Sequence, residues 1–567
     1  MDKKLRICYA ENEDRNSIYA LRHEIYAAEL GQHQTSNWGY LQDELDAHNI
    51  YILIKRGNTV LGFISITCPE SAKFSVDKYF DRSLTPYAFN EELFEVRLLS
   101  VVKKFRHSWL ALALMHAAKR FVEAHGGKNL VAICREDLLE MYVKAGLVAS
   151  KYIAKSGNVR YILCSSTIER LNHAALKYKL QLKAIETRVK WDLHFAFSND
   201  IPCFHGGSFF KAIGEELSNT KKRHDIINAD VLDAWFMPSP KVVAAIAEDL
   251  QWLLQTSPPT HNTGLVDVIS RTREVSPESI LPGAGSSDLI FLGLQNLIDS
   301  NSRVLLLDPC YGEYKHVLDN ILKCHITPFK LFLTEGFKID VELLKSEITK
   351  GYDMVVLVNP NSPTGVYLDM KILKEILQLV PLRTLVWIDE TYIEYAGANN
   401  SVEKLAAISE NIIVCKSMSK VYALSGARVA YLCAGRHIIK HLSAFAPPWS
   451  VSLPAQLAAI IALEDDSYYN KKYQETHVLR EELMAGLKEI GFDPIIPGIA
   501  NFLLCYLPYN SMEVHHFIKG CKDKGLFLRD VSNMGTTIGN GAIRIAVKDR
   551  STNTKMLKII KSVITGF

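Results

Sequence analysis

The sequence predicts an α/β protein in which a mainly parallel sheet, with helices on both faces, forms the C-terminal part. Four short apolar runs alternate with helical segments from about residue 265 onward. They are RVLLLDP (303–309), MVVLVNPN (354–361), TLVWIDE (384–390) and IIVCKS (412–417). Continuous Val, Ile and Leu runs are typical of strands buried on both faces. The first 165 residues lack this pattern and indicate a smaller, mixed α/β domain.

The N-terminal elements are predicted from alternating patterns and turn residues. The segment YILIKRGNTVLGFISIT (51–67) indicates a hairpin, because two β-rich runs flank a short turn that contains Gly57. Residues 108–127 have helical period and end in two glycines, which predicts a helix. The other predicted elements are strands at 93–101, 130–134 and 160–164 and a short helix at 137–145.

The change of pattern also predicts the domain boundaries. Residues 1–165 form the mixed domain, and residues 206–567 form the larger domain. The large part of that domain covers about 265–455, and its small part comes from the flanking segments. Residues 166–205 have helical period and few breakers, which predicts a docked helical connector.

Composition excludes several classes of partner. The 567 residues are 48% hydrophobic and 22% charged, which is typical of a globular protein. A net charge of +3 without a long basic run gives no reason to expect nucleic acid as a partner. Eleven cysteines without a C-x-x-C pair predict neither disulfide staples nor a metal site. No signal peptide and no apolar stretch of about 18 residues is seen, so no membrane is expected and the predicted compartment is the cytoplasm.

Polar residues follow each of the four apolar runs, and ligands in open parallel sheets bind beyond the carboxyl ends of the strands. In CKSMSKVYALSGAR (415–428), Lys420 is the candidate for a Schiff base with an aldehyde cofactor, of which pyridoxal phosphate is the common one. Asp389, after a strongly apolar strand, is placed to pair with the pyridine nitrogen. Tyr392, three residues later, is a candidate donor to the cofactor's phenolic oxygen.

The cofactor phosphate requires N–H groups, hydroxyls and a cation. The segment LPGAGSSDLIFLGL (281–294) supplies glycines and serines at the start of an apolar helix, which is a typical anion site. Ser417, Ser419 and Arg428 are expected to close around the same phosphate, and Tyr311 offers a flat surface for the ring. Each of these residues also has a plain structural interpretation as a cap, a turn residue or packing.

Residues 225–565 resemble a fold-type-I pyridoxal-phosphate enzyme of the aminotransferase class I/II family, nearest its histidinol-phosphate aminotransferase branch. The resemblance rests on PGAGSSDLI, LDPCYGEY, VNPNSPTG, VWIDETYIEY, CKSMSKVYALSGAR, LFLRD and AIRIAV. It implies catalytic roles for Lys420, Asp389 and Tyr392, ring stacking by Tyr311, and a homodimer. The implied phosphate ligands are Gly285, Ser286, Ser287, Ser417, Ser419 and Arg428. Arg529 and Arg544 match the arginines that bind the acidic group of the small-molecule substrate in this family, which is a carboxylate or a phosphate.

Three departures from the family pattern bear on the substrate. Ser362 stands where the family has an asparagine before PTG, with Asn361 beside it, so both are candidate ligands of the phenolic oxygen. Ser257 lies near the position of the tyrosine that a second subunit normally lends to the phosphate. In LDAWFMPSP (232–240), Trp235 and Phe236 occupy the expected substrate wall. These departures favour a substrate other than histidinol phosphate.

Residues 1–165 resemble a GNAT-type N-acyltransferase. The segment LLEMYVKAGLV (138–148) is similar to the late helix motif of that family, which implies that Tyr142 is the general acid toward the departing thiolate. The stretch from Arg106 to Ala111 is similar to the loop that binds the pyrophosphate of acyl-CoA, although Trp109 replaces its central glycine. Glu95 and Arg97 are candidate acceptor-side groups. The alternative is a degenerate domain that only binds or scaffolds.

Three functions follow as hypotheses. The first is a pyridoxal-phosphate aminotransferase for an amino acid or amine with a second acidic group, fused to an acyl-CoA-dependent acyltransferase domain. The second keeps the cofactor but decarboxylates a phosphorylated amino acid, as relatives that act on threonine phosphate do. The third is a non-catalytic sensor that keeps the cofactor pocket, against which the intact set of Lys420, Asp389 and Arg428 argues.

Overall fold

The computed structural model describes residues 4–197, 207–214, 217, 220–509 and 511–566. The chain divides into two compact units, residues 1–200 and 201–567. The end of the predicted connector, residues 198–205, and residue 206, where the second domain was predicted to begin, lie outside the described residues. Among the helices in the described ranges, none is both long and apolar enough to cross a membrane.

The N-terminal unit is built on one sheet. Its strands are β1 (Leu5–Tyr9), β2 (Ile50–Arg56), β3 (Thr59–Thr67), β4 (Leu93–Val101), β5 (Asn129–Arg135), β6 (Val148–Ser156), β7 (Val159–Thr167) and β8 (Val189–Asp192). Its helices are α1 (Arg15–Arg22), α2 (Leu110–Ala124), α3 (Leu139–Lys144), α4 (Ile168–Leu176) and α5 (Lys179–Arg188). In the described residues the strand order is β6-β7-β5-β4-β3-β2-β1-β8. The predicted hairpin at 51–67 is confirmed, because β2 and β3 pair antiparallel.

Strands β4 and β5, in the middle of this sheet, pair over only part of their length. Strands β4 and β5 pair in parallel through Leu93–Glu95 and Asn129–Val131, and no pairing continues beyond Glu95 among the residues described. The rest of β4 stays attached to β3 on its other side. The separation leaves a gap between two parallel strands in the centre of the unit.

The segment predicted as a helical connector contains more than helices. After α4 and α5, the chain forms strand β8, which pairs in parallel with β1 from Leu5 opposite Val189. Leu182 and Ile185 of α5 and Val189 of β8 are buried in the core of this unit. The helical period ends at Arg188, and the alternation of Val189, Lys190 and Trp191 suits a sheet edge.

The C-terminal unit has more elements. Its strands are β9 (Ile227–Asn228), β10 (Ile280–Gly283), β11 (Arg303–Asp308), β12 (His325–Lys330), β13 (Met354–Val358), β14 (Leu385–Asp389), β15 (Ile412–Ser417), β16 (Ala430–Ala434), β17 (Ile495–Ile496), β18 (Phe502–Tyr506), β19 (Leu526–Phe527), β20 (Arg529–Asp530) and β21 (Ala542–Ala546). Its helices are α6 (Phe209–Ile213), α7 (Pro240–Glu248), α8 (Leu250–Gln255), α9 (Thr263–Arg273), α10 (Ser286–Leu297), α11 (Gly312–Lys315), α12 (Val341–Ile348), α13 (Met370–Gln378), α14 (Glu403–Ile408), α15 (Arg436–Ser443), α16 (Leu453–Glu464), α17 (Asp466–Ile490), α18 (Val514–Asp523) and α19 (Arg550–Ile564).

The large sheet of this unit confirms the predicted α/β fold. Its order is β10-β16-β15-β14-β13-β11-β12 over the described residues. Strands β11 to β15 pair in parallel, and β16 pairs antiparallel with both β15 and β10. Strands β13 and β15 are buried along their whole length, as their continuous apolar runs predicted. Helices α10 and α14 pack against β15 and β16.

A smaller sheet brings together segments that are distant in the chain. Its order is β17-β18-β21-β20 in the part of the chain described, and its pairs are antiparallel. In the pairing of β20 with β21, Arg529 lies directly opposite Arg544. The two arginines singled out in the sequence are therefore cross-strand neighbours.

Candidate active site

Asp389 ends strand β14 as a buried carboxylate with fixed geometry. The hydroxyl of Tyr314 donates to Oδ2 at 2.8 Å, and the backbone N–H and Oγ1 of Thr391 donate to Oδ1 at 2.9 and 2.6 Å. Burial raises the pKa of Asp389, and these donors oppose that rise. The arrangement keeps an anionic acceptor in place at the end of an apolar strand, as the pyridine partner requires.

Lys420 lies three residues beyond β15, the parallel neighbour of β14. Its Nζ donates to Asp233 Oδ1 at 2.8 Å and to Ser425 Oγ at 3.4 Å. Burial lowers the pKa of Lys420, whereas Asp233 raises it. The hydroxyl of Tyr395 donates to the backbone carbonyl of Lys420 at 3.1 Å, which holds the lysine's segment.

Two of the predicted phosphate ligands, Gly285 and Arg428, meet where α10 begins. Gly285 precedes the helix with φ 99°, and a Cβ at this position would lie 2.4 Å from Nη2 of Arg428. The positive φ favours glycine here, and a side chain would displace the guanidinium from the helix start. Ser417 is buried, and its Oγ accepts from the backbone N–H of Ser419 at 3.4 Å.

The two serines at the start of α10 have different surroundings. Ser286 is partly exposed at the first helical position. The hydroxyl of Ser287 donates to Oε2 of the buried Glu313 at 3.0 Å. Both serines are partly exposed, and the hydroxyl of Ser287 is the one already engaged by Glu313.

The two aromatic candidates differ in burial. Tyr392 is buried, and its ring meets that of Phe502 edge-to-face at 5.3 Å. Tyr311 is half-buried beside Tyr314, with ring centroids 6.1 Å apart. Burial raises the pKa of the Tyr311 and Tyr392 hydroxyls, so both are neutral donors near neutral pH.

Asn361 and Ser362 differ in what they contact. The amide Nδ2 of Asn361 donates to the carbonyl of Pro309 and to Thr364 Oγ1, each at 3.2 Å. Among the described residues its buried Oδ1 has no hydrogen-bond partner. The hydroxyl of Ser362 accepts from Nη1 of Arg544 at 3.3 Å. The departure at Ser362 therefore connects this loop to the arginine of β21.

Arg544 is a buried cation with weak protein contacts. Besides Ser362, it donates from Nη2 to the carbonyl of Asp230 at 3.4 Å, and its guanidinium lies 5.6 Å from the centre of the Phe502 ring. Burial lowers its pKa, and the nearby Arg529 lowers it further. Arg529 Nη1 lies 3.7 Å from Asp230 Oδ1.

The two residues of the predicted substrate wall, Trp235 and Phe236, differ in burial and contacts. Trp235 is half-buried, and its indole N–H donates to Thr476 Oγ1 at 2.8 Å. Phe236 is buried and packs edge-to-face against Tyr468, Tyr469 and Tyr473. The contacts of Phe236 are those of a core residue, because its large apolar ring is covered by three others.

Sequence reasoning missed two residues that contact the predicted catalytic groups. Asp233 pairs with Lys420, and Tyr314 donates to Asp389 while it accepts from the indole N–H of Trp387 at 2.9 Å. Both lie in segments already singled out: Asp233 precedes Trp235 by two residues, and Tyr314 follows Tyr311 by three. The sequence spacing of Asp233 and Tyr314 did not indicate these contacts, because Lys420 and Asp389 lie 187 and 75 residues away in the chain.

A buried ionic network lies behind the Lys420 segment and was also missed. Lys416 of β15 pairs with Glu394 at 2.7 Å, and Glu390 and Glu403 lie 3.6 Å from its Nζ. Arg273 joins the network through Glu394 at 3.2 Å. Burial raises the pKa of Glu390 to about 7. Because Glu390 follows Asp389 directly, the network anchors the backbone that carries both catalytic candidates.

The N-terminal unit holds a cavity of about 500 Å³ at the gap between β4 and β5. Its mainly apolar lining includes Val96, Leu112, Met115, Cys134, Tyr142 and Tyr178. Burial raises the pKa of the Tyr142 hydroxyl well above its ordinary value, so the group is a neutral proton donor. Tyr178 belongs to the turn between α4 and α5, and residues of both helices close one side of the cavity.

The other N-terminal candidates are held by protein contacts. Both oxygens of Glu95 accept hydrogen bonds from the turn at Ser75 and Val76, including 2.7 Å from the backbone N–H of Ser75. Arg97 donates to Asp43 at 2.6 Å, and Asp43 also lies 3.5 Å from Arg22. Glu95 therefore fixes a loop, and Arg97 belongs to a buried ionic cluster.

Residues of the predicted pyrophosphate loop also contact other parts of the protein. Arg106 pairs with Glu29 at 2.7 Å and donates to the carbonyl of Val101 at 3.2 Å. Trp109 precedes α2 and packs against the core of the unit. The substitution of glycine by Trp109 thus coincides with a loop whose cation is already paired.

Two family models match parts of this chain. The model of the family "Aminotransferase class I and II" matches residues 231–560, which is more than half of the chain. The chain belongs to that family. A second family model, "Acetyltransferase (GNAT) domain", matches residues 21–116 in the N-terminal unit. Both resemblances found in the sequence are confirmed.

Individual relatives agree with this assignment. The histidinol-phosphate aminotransferase of Methanocaldococcus jannaschii is 28% identical over 345 residues, which are 61% of this chain and 91% of the relative. The structure of histidinol-phosphate aminotransferase from Sinorhizobium meliloti in complex with pyridoxal-5'-phosphate is 21% identical, with a TM-score of 0.56 over 65% of this chain and 99% of that one. L-threonine-O-3-phosphate decarboxylase from Porphyromonas gingivalis is 18% identical, with a TM-score of 0.54 over 60% and 100%. The two structures show the shared fold.

Proposed function

We propose that the C-terminal unit is a pyridoxal-phosphate-dependent aminotransferase for an amino acid or amine that carries a second acidic group. The observation that carries this proposal is the placement of Asp389 and Lys420 beyond two adjacent parallel strands, with two arginines on a neighbouring sheet. Asp389 and Lys420 suit the cofactor, and the two arginines suit an anionic substrate.

The residues present fit the cofactor. Asn361 has a buried amide oxygen without a partner in the described residues, and the missing side chain of Gly285 lets the Arg428 guanidinium lie beside the start of α10. Gly285, Ser286, Ser417, Ser419 and Arg428 would hold the phosphate, as the family resemblance implies. When bound, the cofactor supplies an electron sink for the charge left when a bond to the amino-bearing carbon breaks.

The chain's own groups then have defined tasks. Asp389 would keep the pyridine nitrogen protonated, because a buried carboxylate fixed by Tyr314 and Thr391 favours a cation beside it. Tyr392 would donate from its neutral hydroxyl. Lys420 would hold the cofactor covalently and, once released by the substrate, move a proton at the amino-bearing carbon.

The acidic group of the substrate is inferred from Arg529 and Arg544. Like charges directly opposite each other on antiparallel strands destabilise a sheet, and Asp230, 3.7 Å from Arg529, offsets part of this repulsion. Both side chains are largely buried, with 12% and 7% exposure. A carboxylate or phosphate would offset this repulsion through charge-assisted hydrogen bonds.

Product analysis tests the proposal directly. The purified chain, loaded with pyridoxal phosphate, should convert an acidic amino donor to the corresponding carbonyl compound while an acceptor takes up the amino group. Borohydride reduction should label Lys420, and label at another residue would contradict the assignment. Release of carbon dioxide without amino transfer would instead establish the decarboxylase alternative, which the fold similarity to the threonine-phosphate decarboxylase keeps open.

For the N-terminal unit we propose acyl transfer from a thioester donor, with acyl-CoA as the donor to test first. The support is the cavity at the gap between β4 and β5, into which Tyr142 brings a neutral hydroxyl. The paired Arg106 and the bulk of Trp109 weaken the case for tight pyrophosphate binding. Calorimetry of the full chain with CoA and acyl-CoA tests it, and no binding by either would favour a scaffold.

We further propose a homodimer, as the family resemblance implies. Apolar side chains remain exposed on the C-terminal unit, among them Trp252 at 53%, Leu254 at 73% and Trp449 at 54%. Large exposed apolar groups often mark protein interfaces. Sedimentation analysis tests this, and a monomer at micromolar concentration would contradict it.

A further inference from the structure

Asp233 holds the amine of Lys420, although no sequence motif singles it out. Its Oδ1 lies 2.8 Å from Lys420 Nζ, and the side chains are 38% and 19% exposed respectively. In the described part of the chain, the other acceptor within reach of this amine is Ser425 Oγ at 3.4 Å, which is at the weak end of hydrogen-bond distances. Asp233 is therefore the principal partner of the amine.

The position of Asp233 is fixed by its neighbours. Asn501 donates from its side chain to the carbonyl of Leu232 at 2.9 Å, and Phe236 is buried among tyrosines three residues beyond Asp233. These two contacts hold the backbone on both sides of the carboxylate. The contact with Lys420 thus joins two rigid segments that are distant in the sequence.

The other charged groups with the largest effect on Lys420, among the residues described, are cations. Arg544 and Arg428 lower the pKa of Lys420, and Lys420 in turn lowers that of Lys548. Burial lowers the pKa of Lys548 to about 8. Asp233 is the carboxylate that opposes this cationic surrounding. Without Asp233, the ammonium of Lys420 would stand among three cations in a buried position.

We propose that Asp233 is the positioning residue that holds the free amine of Lys420 while this lysine moves the substrate proton. The inference rests on the proposed aminotransferase function. A proton-shuttling lysine is a free amine after the substrate displaces it, and the 2.8 Å contact with Asp233 Oδ1 is one that such an amine can make.

The proton balance is simple. The neutral amine of Lys420 takes the proton from the substrate's amino-bearing carbon and becomes an ammonium, while the electron pair of the broken C–H bond stays on the substrate. Asp233 remains ionised throughout and pairs with the ammonium, so it stabilises the protonated lysine without gaining a proton. Return of the proton to the substrate restores the neutral amine.

The first test measures Lys420 directly in the full chain without cofactor. Trace acetic anhydride labels neutral amines, and peptide mass spectrometry reports the rate at Lys420. In Asp233→Asn the loss of the carboxylate lowers the pKa of Lys420, so labelling near neutral pH should rise about tenfold for a shift of one unit. Asp233→Glu should restore the slow rate, and Asp319→Asn, at an exposed aspartate of the same unit, should leave it unchanged.

The second test follows proton transfer in the loaded enzyme. Exchange of the substrate's carbon-bound hydrogen with ²H₂O should slow about tenfold in Asp233→Asn, because an amine that the carboxylate no longer holds is misplaced and less basic, even though more of it is neutral. The KM of the acidic substrate should stay unchanged, since the proposed ligands of its acidic group are Arg529 and Arg544. Unchanged labelling, or changed labelling with unchanged exchange, would overturn the proposal.

The two tests also separate this inference from the proposed function. If the wild-type chain forms no bond between Lys420 and the cofactor, the aminotransferase assignment fails, and the role of Asp233 in proton transfer fails with it. The labelling rate would still report whether Asp233 controls the amine. Because Asp233 is more than one-third exposed, its substitution should leave the melting temperature within a few degrees of the wild type.

Discussion

The two units use charged side chains differently. In the C-terminal unit, Asp389 and Lys420 follow adjacent parallel strands, and Arg544 keeps only weak contacts at 3.3 and 3.4 Å. In the N-terminal unit, Glu95 and Arg106 are engaged by backbone groups and by ion pairs at normal distances. A buried cation with only long contacts indicates a bound anion, whereas a short ion pair indicates a structural role. Arg106 has such a pair, although its Nη2 has no hydrogen-bond partner among the described residues.

This difference shows how far the matching motifs support a functional site in each unit. The motifs of the C-terminal unit place Asp389 at the end of β14, Lys420 three residues beyond its parallel neighbour β15, and Arg529 opposite Arg544. The GNAT resemblance leads to a cavity that Tyr142 and Arg97 both line, and Arg97 is already paired with Asp43 at 2.6 Å. Four experiments can break or sharpen the contrast.

The largest effect is expected at Lys420. Lys420→Ala should lower aminotransferase turnover by about 10⁴-fold or more, since both covalent attachment and proton transfer are lost. Some cofactor should still bind through the phosphate ligands. Turnover and equilibrium binding of pyridoxal phosphate check this, with Lys522→Ala at an exposed lysine as control. Turnover near the wild-type value would break the C-terminal side of the comparison.

The corresponding change in the N-terminal unit is Tyr142→Phe. If the cavity supports acyl transfer, loss of the general acid should reduce acyltransferase turnover about 100-fold while the acyl donor still binds. Thiol release from acyl-CoA by the full chain measures the rate, and calorimetry measures binding. Tyr152→Phe, at a half-buried tyrosine on β6, is the matched control. Equal rates in all three proteins would favour the scaffold role.

Arg544 tests whether a weakly bound arginine marks the substrate site. Arg544→Ala should raise the KM of the acidic substrate about 30-fold, because a charge-assisted hydrogen bond contributes about 2 kcal/mol. Arg550→Ala removes an exposed arginine paired with Glu482 at 2.5 Å and should leave KM unchanged. An unchanged KM in Arg544→Ala would assign that residue to structure, as for Arg97.

The smallest effect concerns acid stability of the N-terminal unit. Burial lowers the pKa of His116 from 6.5 to about 4, and the carbonyl of Phe197 lies 2.8 Å from its Nε2. Between these values the unfolded chain binds a proton that the folded unit excludes, so stability falls as pH falls. The contribution is about 2 kcal/mol between pH 7 and pH 5. Urea unfolding monitored in this unit should show it, and His116→Gln should flatten the dependence; an identical pH dependence in both proteins would contradict the assignment.

Much of the C-terminal site was predictable because its residues lie in short motifs at strand ends. Parallel strands bring their carboxyl ends to one edge, so Asp389 and Lys420 could be expected together from strand patterns alone. Asp233 and Tyr314 were not predicted, because their contacts join segments separated by 187 and 75 residues. The wall role of Phe236 was expected from position, but a buried ring among tyrosines reflects packing that no local pattern encodes.

The N-terminal unit shows the same limit in another form. The hairpin of β2 and β3 was predictable, since its turn and alternation are local. The edge strand β8 was not, because it pairs with β1 at the far end of the unit.

By itself, the sequence determined the α/β fold, the family and the candidate cofactor residues, since strand burial and helix starts are written in neighbouring residues. Only the tertiary structure decided which charges are already paired and which remain available. Hydrogen bonds and ion pairs depend on distances of a few ångströms between remote segments, and those distances exist only after the chain has packed.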